Sequence, residues 1–292
     1  MCPLRIKITA LLLSSLLLLA AVVQASPVQI VHQGLRLNGE LLEANADSDT
    51  VFLLVHGTWA HGEMELISGM QSRLEELGEN SLALTLSFGL DNRRGFMQCS
   101  DLIVAEHGAA IKEIRKWVEY LSNRFSKIII VGHSRGANQV ALYNQTLADP
   151  AVIKLVLIAP MTWVQNEAEF EYKARFDRDL SSLLANAKRH PDSTLEAGII
   201  NCDNSKVSSQ SLLSYYSQIP NKNTPELLMT STHPVLVFLG SEDELSKKYR
   251  DQNRRFPTSD LVTEIWIEGA GHFFLDLYLD ELVETMDEWV RD

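Results

Sequence analysis

Positive charge is in short supply: 26 lysines and arginines stand against 38 aspartates and glutamates, a net charge of −12 over 292 residues. Such a field repels nucleic-acid phosphates and anionic membrane surfaces, so no nucleic-acid partner is expected. Cysteine is scarce, with three in the chain, and no His or Cys cluster has metal-ligand spacing, so no metal is expected either. There is no glycine loop of the kind that cradles phosphates, no repeat of fixed period and no low-complexity tract, which sets aside nucleotide-binding, solenoid and disordered classes. What remains is an ordinary globular composition, 46% hydrophobic and 22% charged, long enough for one large domain or two small ones.

Long uncharged apolar runs are also rare, and the longest, Ile8–Val23, follows Arg5 and Lys7 and leads into Val23-Gln24-Ala25 before Ser26. A positive start, an apolar middle and a small-residue end form the layout of a secretory signal peptide, expected over residues 1–25. The alternative, an uncleaved anchor, suits a run this short less well. The residue at the cut is Ser26 and not a cysteine, which argues against a lipid anchor and, after cleavage, against any stable membrane attachment. Cleavage removes two cations and no anion, taking the net charge from −12 to −14. The remaining residues, 26–292, are then expected in a periplasmic or extracellular space. Cys99 and Cys202 are left as an even pair, and in an oxidising compartment one disulfide between them is expected, with two separate buried thiols as the alternative. Closing a loop of roughly a hundred residues is valued at about 4–5 kcal/mol by chain entropy.

Val28–His32 and Leu35–Ala44 read as an antiparallel hairpin region, broken by Gly34 and by Asn38-Gly39. Beyond residue 50 strand and helix patterns alternate. Val51–Val55, Ser81–Leu86, Lys127–Val131, Leu155–Ile158, Val235–Leu239 and Thr263–Ile267 are apolar runs suited to strands buried on both faces. Met64–Leu77, Ala109–Leu121, Gly136–Leu147 and Phe273–Val290 carry helical spacing. This alternation predicts a mostly parallel sheet flanked by helices. Residues 161–233 break the rhythm, and a stretch of roughly 70 residues is too long for a bare loop. A helical cap is expected there.

The chemistry centres on Gly132-His133-Ser134-Arg135-Gly136, which follows a buried strand and precedes a helix. A sharp strand-to-helix turn strains its central residue, and small flanking residues avoid the clash, so Ser134 is the candidate nucleophile. A serine hydroxyl needs a base, and the base needs an orienting acid. His272, after Gly269-Ala270-Gly271, is the best placed of the eight histidines and is expected to open the last helix. Among the carboxylates of Gly240-Ser241-Glu242-Asp243-Glu244, Asp243 is the expected acid, with Glu242 and Glu244 as solvated flankers. An oxyanion needs two backbone donors. The N–H of Arg135 is one, and the loop His56-Gly57-Thr58-Trp59 supplies the other, from Thr58 with Trp59 as runner-up.

With Leu54-Val55-His56-Gly57, Gly132-His133-Ser134-Arg135-Gly136, Gly240-Ser241-Glu242-Asp243 and Gly271-His272 in this order, the chain resembles the α/β-hydrolase superfamily from about residue 50 to its end. The resemblance implies an eight-stranded sheet, a cap between strands six and seven, no cofactor, and a small-molecule acyl substrate of unspecified identity. Serine at the turn departs from the branches of the superfamily that use aspartate or cysteine there. The expected activity is hydrolysis of a carboxylic ester or related acyl bond. The alternatives are the same triad acting on an amide, thioester or C–C bond, or a binding protein that kept the fold. Arg135 is a cation beside the nucleophile where many relatives carry none. It is expected to turn away and pair with an acid, the alternative being attraction of an anionic substrate group. Oligomeric state is not legible in these patterns.

Overall fold

Alternate residues of a strand face opposite ways, so a strand covered on both faces must be apolar throughout. The continuous apolar runs become such strands in a computed structural model that describes residues 25–147, 149–217, 222–257 and 259–292. All but the last residue of the expected signal peptide lies outside these. The chain opens with an antiparallel pair, β1 (Ser26–His32) and β2 (Leu35–Leu42). Gln33 and Gly34, both with positive φ (50° and 81°), close it as a two-residue turn. There follow β3 (Thr50–Val55), α1 (Glu65–Glu76), β4 (Asn80–Thr85), α2 (Ala109–Leu121), β5 (Lys127–His133), α3 (Arg135–Thr146) and β6 (Val152–Ile158). An insertion then carries α4 (Gln165–Phe176), α5 (Leu180–Arg189), β7 (Thr194–Ile199), β8 (Cys202–Ser208), α6 (Ser209–Tyr216) and α7 (Thr224–Leu228). The main body resumes with β9 (Val235–Gly240), α8 (Glu244–Asn253), β10 (Val262–Ile267) and α9 (Leu277–Arg291).

Eight strands form one sheet in the order β1-β2-β4-β3-β5-β6-β9-β10. β2 is antiparallel to both of its neighbours, and every later pairing is parallel. Val51, Leu53 and Val55 point into one core with Ile114, Trp117 and Val140 of α2 and α3. Phe52 and Leu54 point into the other with Leu66, Met70, Leu282 and Met286 of α1 and α9. Register aligns the carboxyl ends, with Val55 opposite Gly132, His133 opposite Ile158, and Ile267 opposite Gly240. Open parallel sheets bind ligands along that edge.

Three details depart from the sequence reading. Asn38-Gly39 does not interrupt β2: a Cβ on Gly39 would lie 3.0 Å from Trp117 and 3.2 Å from Leu82, so glycine is there for close packing under α2. The last helix starts at Leu277, because Phe274 and Asp276 have φ of 45° and 58° and a turn joins Phe274 N–H to the Gly271 carbonyl. His272 therefore sits in a loop ahead of the helix. The insertion, lying between the sixth and seventh strands of the sheet, adds a two-stranded antiparallel sheet of β7 and β8 to its helices.

Candidate active site

Ser134 stands between β5 and α3 with φ 56° and ψ −117°, a backbone conformation unfavourable for a side chain. Its surroundings over-determine it. A Cβ on Gly132 would lie 2.7 Å from Ala137 Cα, and one on Gly136 would meet the His56 carbonyl and lie 2.7 Å from that of Val55. Ser134 N–H donates to the Ile158 carbonyl at 2.8 Å, and its own carbonyl accepts from Met161 N–H at 3.0 Å. The hydroxyl is thus held at the sheet's carboxyl edge by bonds on both sides.

His272 reaches it from the β10–α9 loop, with Nε2 3.0 Å from Ser134 Oγ and Nδ1 3.1 Å from Asp243 Oδ1. An ionised carboxylate only accepts, so Nδ1–H donates to Asp243 and Nε2 is left to accept from the serine. Asp243 is buried, caps α8, and accepts from Leu245 N–H at 3.1 Å, Ser246 N–H at 3.0 Å and Ser246 Oγ at 2.6 Å. Burial alone would raise its pKa, but the hydrogen bonds from His272 and Ser246 outweigh it and hold the carboxyl below the usual range. Glu242 and Glu244 are exposed, the latter 2.8 Å from Lys247.

A family model described as the alpha/beta hydrolase family matches residues 52–285. The chain belongs to that family. Among solved structures it is similar to Est1E from Butyrivibrio proteoclasticus with ferulic acid bound, at 18% identity and TM-score 0.65 over 90% of this chain and 97% of that one. An esterase of Pyrococcus furiosus is similar at 15% identity and TM-score 0.62, over 92% and 91% of the two chains. At these identities the likeness is one of fold. No curated protein sequence matches the chain.

In this α/β-hydrolase a cavity of about 790 Å³ opens beside Ser134, lined by Thr58 and Arg135 and by Trp163, Tyr172 and Tyr215 of the insertion, among others. Thr58 lies on the cavity wall, whereas Trp59 is buried behind it with Nε1–H 3.4 Å from the Tyr215 hydroxyl. Among the described residues, the backbone N–H groups of Thr58, Trp59 and Arg135 have no partner, and of these three residues Thr58 and Arg135 line the cavity. The expected acid partner of Arg135 is not found among the described residues. Its Nε–H donates to Thr58 Oγ1 at 3.1 Å, and its guanidinium lies 5.0 Å from the Tyr215 ring centre. A disulfide joins Cys99 to Cys202 and fastens the loop after β4 to β8.

Sequence reasoning missed three residues that shape the site. His133, fully buried, donates from Nε2 to the His272 carbonyl at 2.9 Å and so fixes the backbone that carries the imidazole. His56 donates from Nδ1 to the Gly57 carbonyl at 2.9 Å, and its Nε2 accepts from Leu86 N–H at 3.0 Å. Arg93, buried over Phe88, donates to the carbonyls of Leu86 and Ala60, each at 2.7 Å, which ties the β4 loop to the Gly57 loop. Burial pushes this guanidinium down to about 10. No local pattern marks these groups, because the bonds that tie the site together, His56 to Leu86, Arg93 to Ala60 and His133 to His272, each span 30 or more residues in sequence.

Proposed function

We propose that this chain is an exported serine hydrolase that cleaves a carboxylic ester or related acyl bond through an acyl-enzyme, with Ser134 as nucleophile, His272 as base and Asp243 as orienting acid. The continuous hydrogen-bonded path from Asp243 through His272 to Ser134 carries this reading. Ser134 Oγ attacks the acyl carbon as His272 Nε2 takes its proton. Asp243, ionised at neutral pH, keeps Nδ1–H in place and stabilises the imidazolium. The oxyanion is met by the N–H groups of Thr58 and Arg135, which are free for it. His272 then returns the proton to the leaving oxygen, and a water activated by the same nitrogen releases the acid. Export is supported by the leader-like start and by the Cys99–Cys202 disulfide, a bond favoured outside the cytosol.

The test is labelling of the folded protein with a fluorophosphonate, together with turnover of short-chain esters. Ser134 is expected to carry the label. Ser134→Ala should lose the label and about 10⁴-fold or more of the ester turnover, and Asp243→Asn a comparable amount. An unlabelled wild-type protein, or a Ser134→Ala variant as active as the parent, would overturn the reading.

A further inference from the structure

The cavity beside Ser134 carries an uncompensated positive charge in a chain whose net charge is −12. Of the cations on its wall, Lys248 lies 2.9 Å from Glu167 and 3.0 Å from Glu171, and Arg175 lies 3.7 Å from Asp203. Arg135 has no acid partner among the described residues. It gives Nε–H to Thr58, and the other four of its five donors have no acceptor among the described residues. A second basic side chain interacts with it. Lys222 is 4% exposed and is held by the carbonyls of Ser214 and Ser217, again without a carboxylate among the described residues. Burial, with Arg135 as the second cause, pushes this ammonium down to about 7. Lys222 can shed its proton in this setting, whereas the Arg135 guanidinium cannot, and taking that charge out of water without a counter-charge is costly unless something anionic completes the arrangement. A planar fork with free donors matches a carboxylate.

The side of the scissile bond follows from the proton path. The leaving oxygen must reach His272, which lies off the cavity wall, so the leaving group departs on that side. The cavity, with Thr58 and Arg135, faces the other half of the ester.

We propose that the cavity takes an acyl group bearing a carboxylate, bound by the Arg135 guanidinium, so that half-esters of dicarboxylic acids are the preferred substrate class. This rests on the reading of Ser134 as the nucleophile that accepts the acyl group. The aromatic rings of Trp163, Tyr172 and Tyr215 supply flat apolar walls for the carbon chain between the two carbonyl groups. Tyr215, lying against the guanidinium, keeps it aimed along the cavity.

The test compares monoethyl glutarate and monoethyl adipate with their neutral isosteres, ethyl 5-methylhexanoate and ethyl 6-methylheptanoate. In the wild-type protein kcat/KM is expected to favour the half-ester about 10-fold or more for at least one length. In Arg135→Gln that ratio should fall to about one or below, and in Arg135→Lys part of it should return. The ratio compares two esters on one protein, so any loss of folded material cancels. Free glutarate or adipate should also slow fluorophosphonate labelling of Ser134 in the wild type and not in Arg135→Gln. A ratio near one in the wild type, or one unchanged in Arg135→Gln, overturns the proposal and leaves the serine hydrolase standing. A preference for an ester whose carboxylate lies on the alcohol, such as butyryl glycolate, overturns it too. Failure of the underlying reading is distinct: Ser134 then takes no label and no ester of either kind is turned over.

Discussion

Gly57 sits where a single methyl group would be felt. A Cβ there would lie 3.1 Å from both His133 Nδ1 and Ser134 Cβ, tighter than ordinary contact. The loop would have to retreat by a few tenths of an ångström and carry the neighbouring Thr58 N–H with it. Gly57→Ala is therefore expected to lower kcat by about 10–100-fold, short of full loss of one oxyanion donor, with only a modest change in melting temperature. Steady-state kinetics beside a thermal melt check this, and an unchanged kcat would remove Thr58 from the proposed oxyanion site. The candidate site was partly legible at this scale. Ser134, Asp243 and His272 are marked by glycines and strand ends in their own neighbourhoods, and the structure brings them within hydrogen-bond reach. His56, His133 and Arg93 each make at least one bond to a backbone group far along the chain, Leu86, His272 and Ala60 respectively, and nothing near them in sequence announces that part. Arg135 was misjudged because composition offers many acids, while the fold places none of the described ones within reach of its guanidinium.

At the scale of elements, the segment between β4 and α2 depends on long-range fastening. Besides the Cys99–Cys202 bond, Ile103 N–H donates to the Lys206 carbonyl at 2.8 Å and Ser208 N–H to the Ile103 carbonyl at 2.9 Å. Ser205 Oγ adds a bond to the Cys99 carbonyl at 2.8 Å. The insertion is thus tied to the loop that also carries Arg93, and through it to the Gly57 loop. A Cys99→Ser/Cys202→Ser variant is expected to lose about 2–5 kcal/mol of stability, since the bond spans 103 residues. Urea unfolding of the two proteins measures it, and equal midpoints would show that the β8 pairings hold the loop alone. The strands were legible because burial on both faces leaves a continuous apolar run. The start of α9 was not, since helical spacing extends back to Phe273 while the backbone turns at Phe274 and Asp276 prevent a helix there. The β7–β8 pair escaped notice because its buried residues, Ala197, Gly198 and Ile199 on one strand and Cys202, Ser205 and Val207 on the other, are too few and too mixed for an apolar run.

The whole molecule shows an order that local patterns do not encode: β2 lies beside β4, and β3 is enclosed between β4 and β5. Alternation predicts a parallel sheet, but neighbours within it are chosen by which faces the helices cover. That covering also encloses three histidines. His56, His107 and His133 are all buried at the sheet's carboxyl edge. Burial lowers each below its ordinary value, His133 to about 3, with Arg93 adding to the effect at His56 and Arg135 and Lys222 adding at His107. Each therefore folds neutral, whereas in the unfolded chain it titrates at about 6.5. Stability from these groups is complete above that value and falls as the pH drops toward the folded pKa, by about 1.4 kcal/mol per pH unit for each histidine. Asp243, also lowered, loses stabilisation in the same direction at more acid pH. Buried Glu113, raised by its burial, works in the opposite sense, its contribution growing as the pH falls from its raised pKa toward the ordinary carboxylate value. Urea midpoints at pH 7.5 and pH 5.0 should accordingly differ, with up to about 2 kcal/mol lost per buried histidine at the lower pH. His107 offers the cleanest single-site check. It donates from Nε2 to Asn138 at 2.9 Å, its Nδ1 has no partner among the described residues, and it lies outside the Ser134–His272–Asp243 path. His107→Gln should flatten the pH dependence by about one histidine's share, and a slope unchanged in that variant would mean that His107 does not fold neutral.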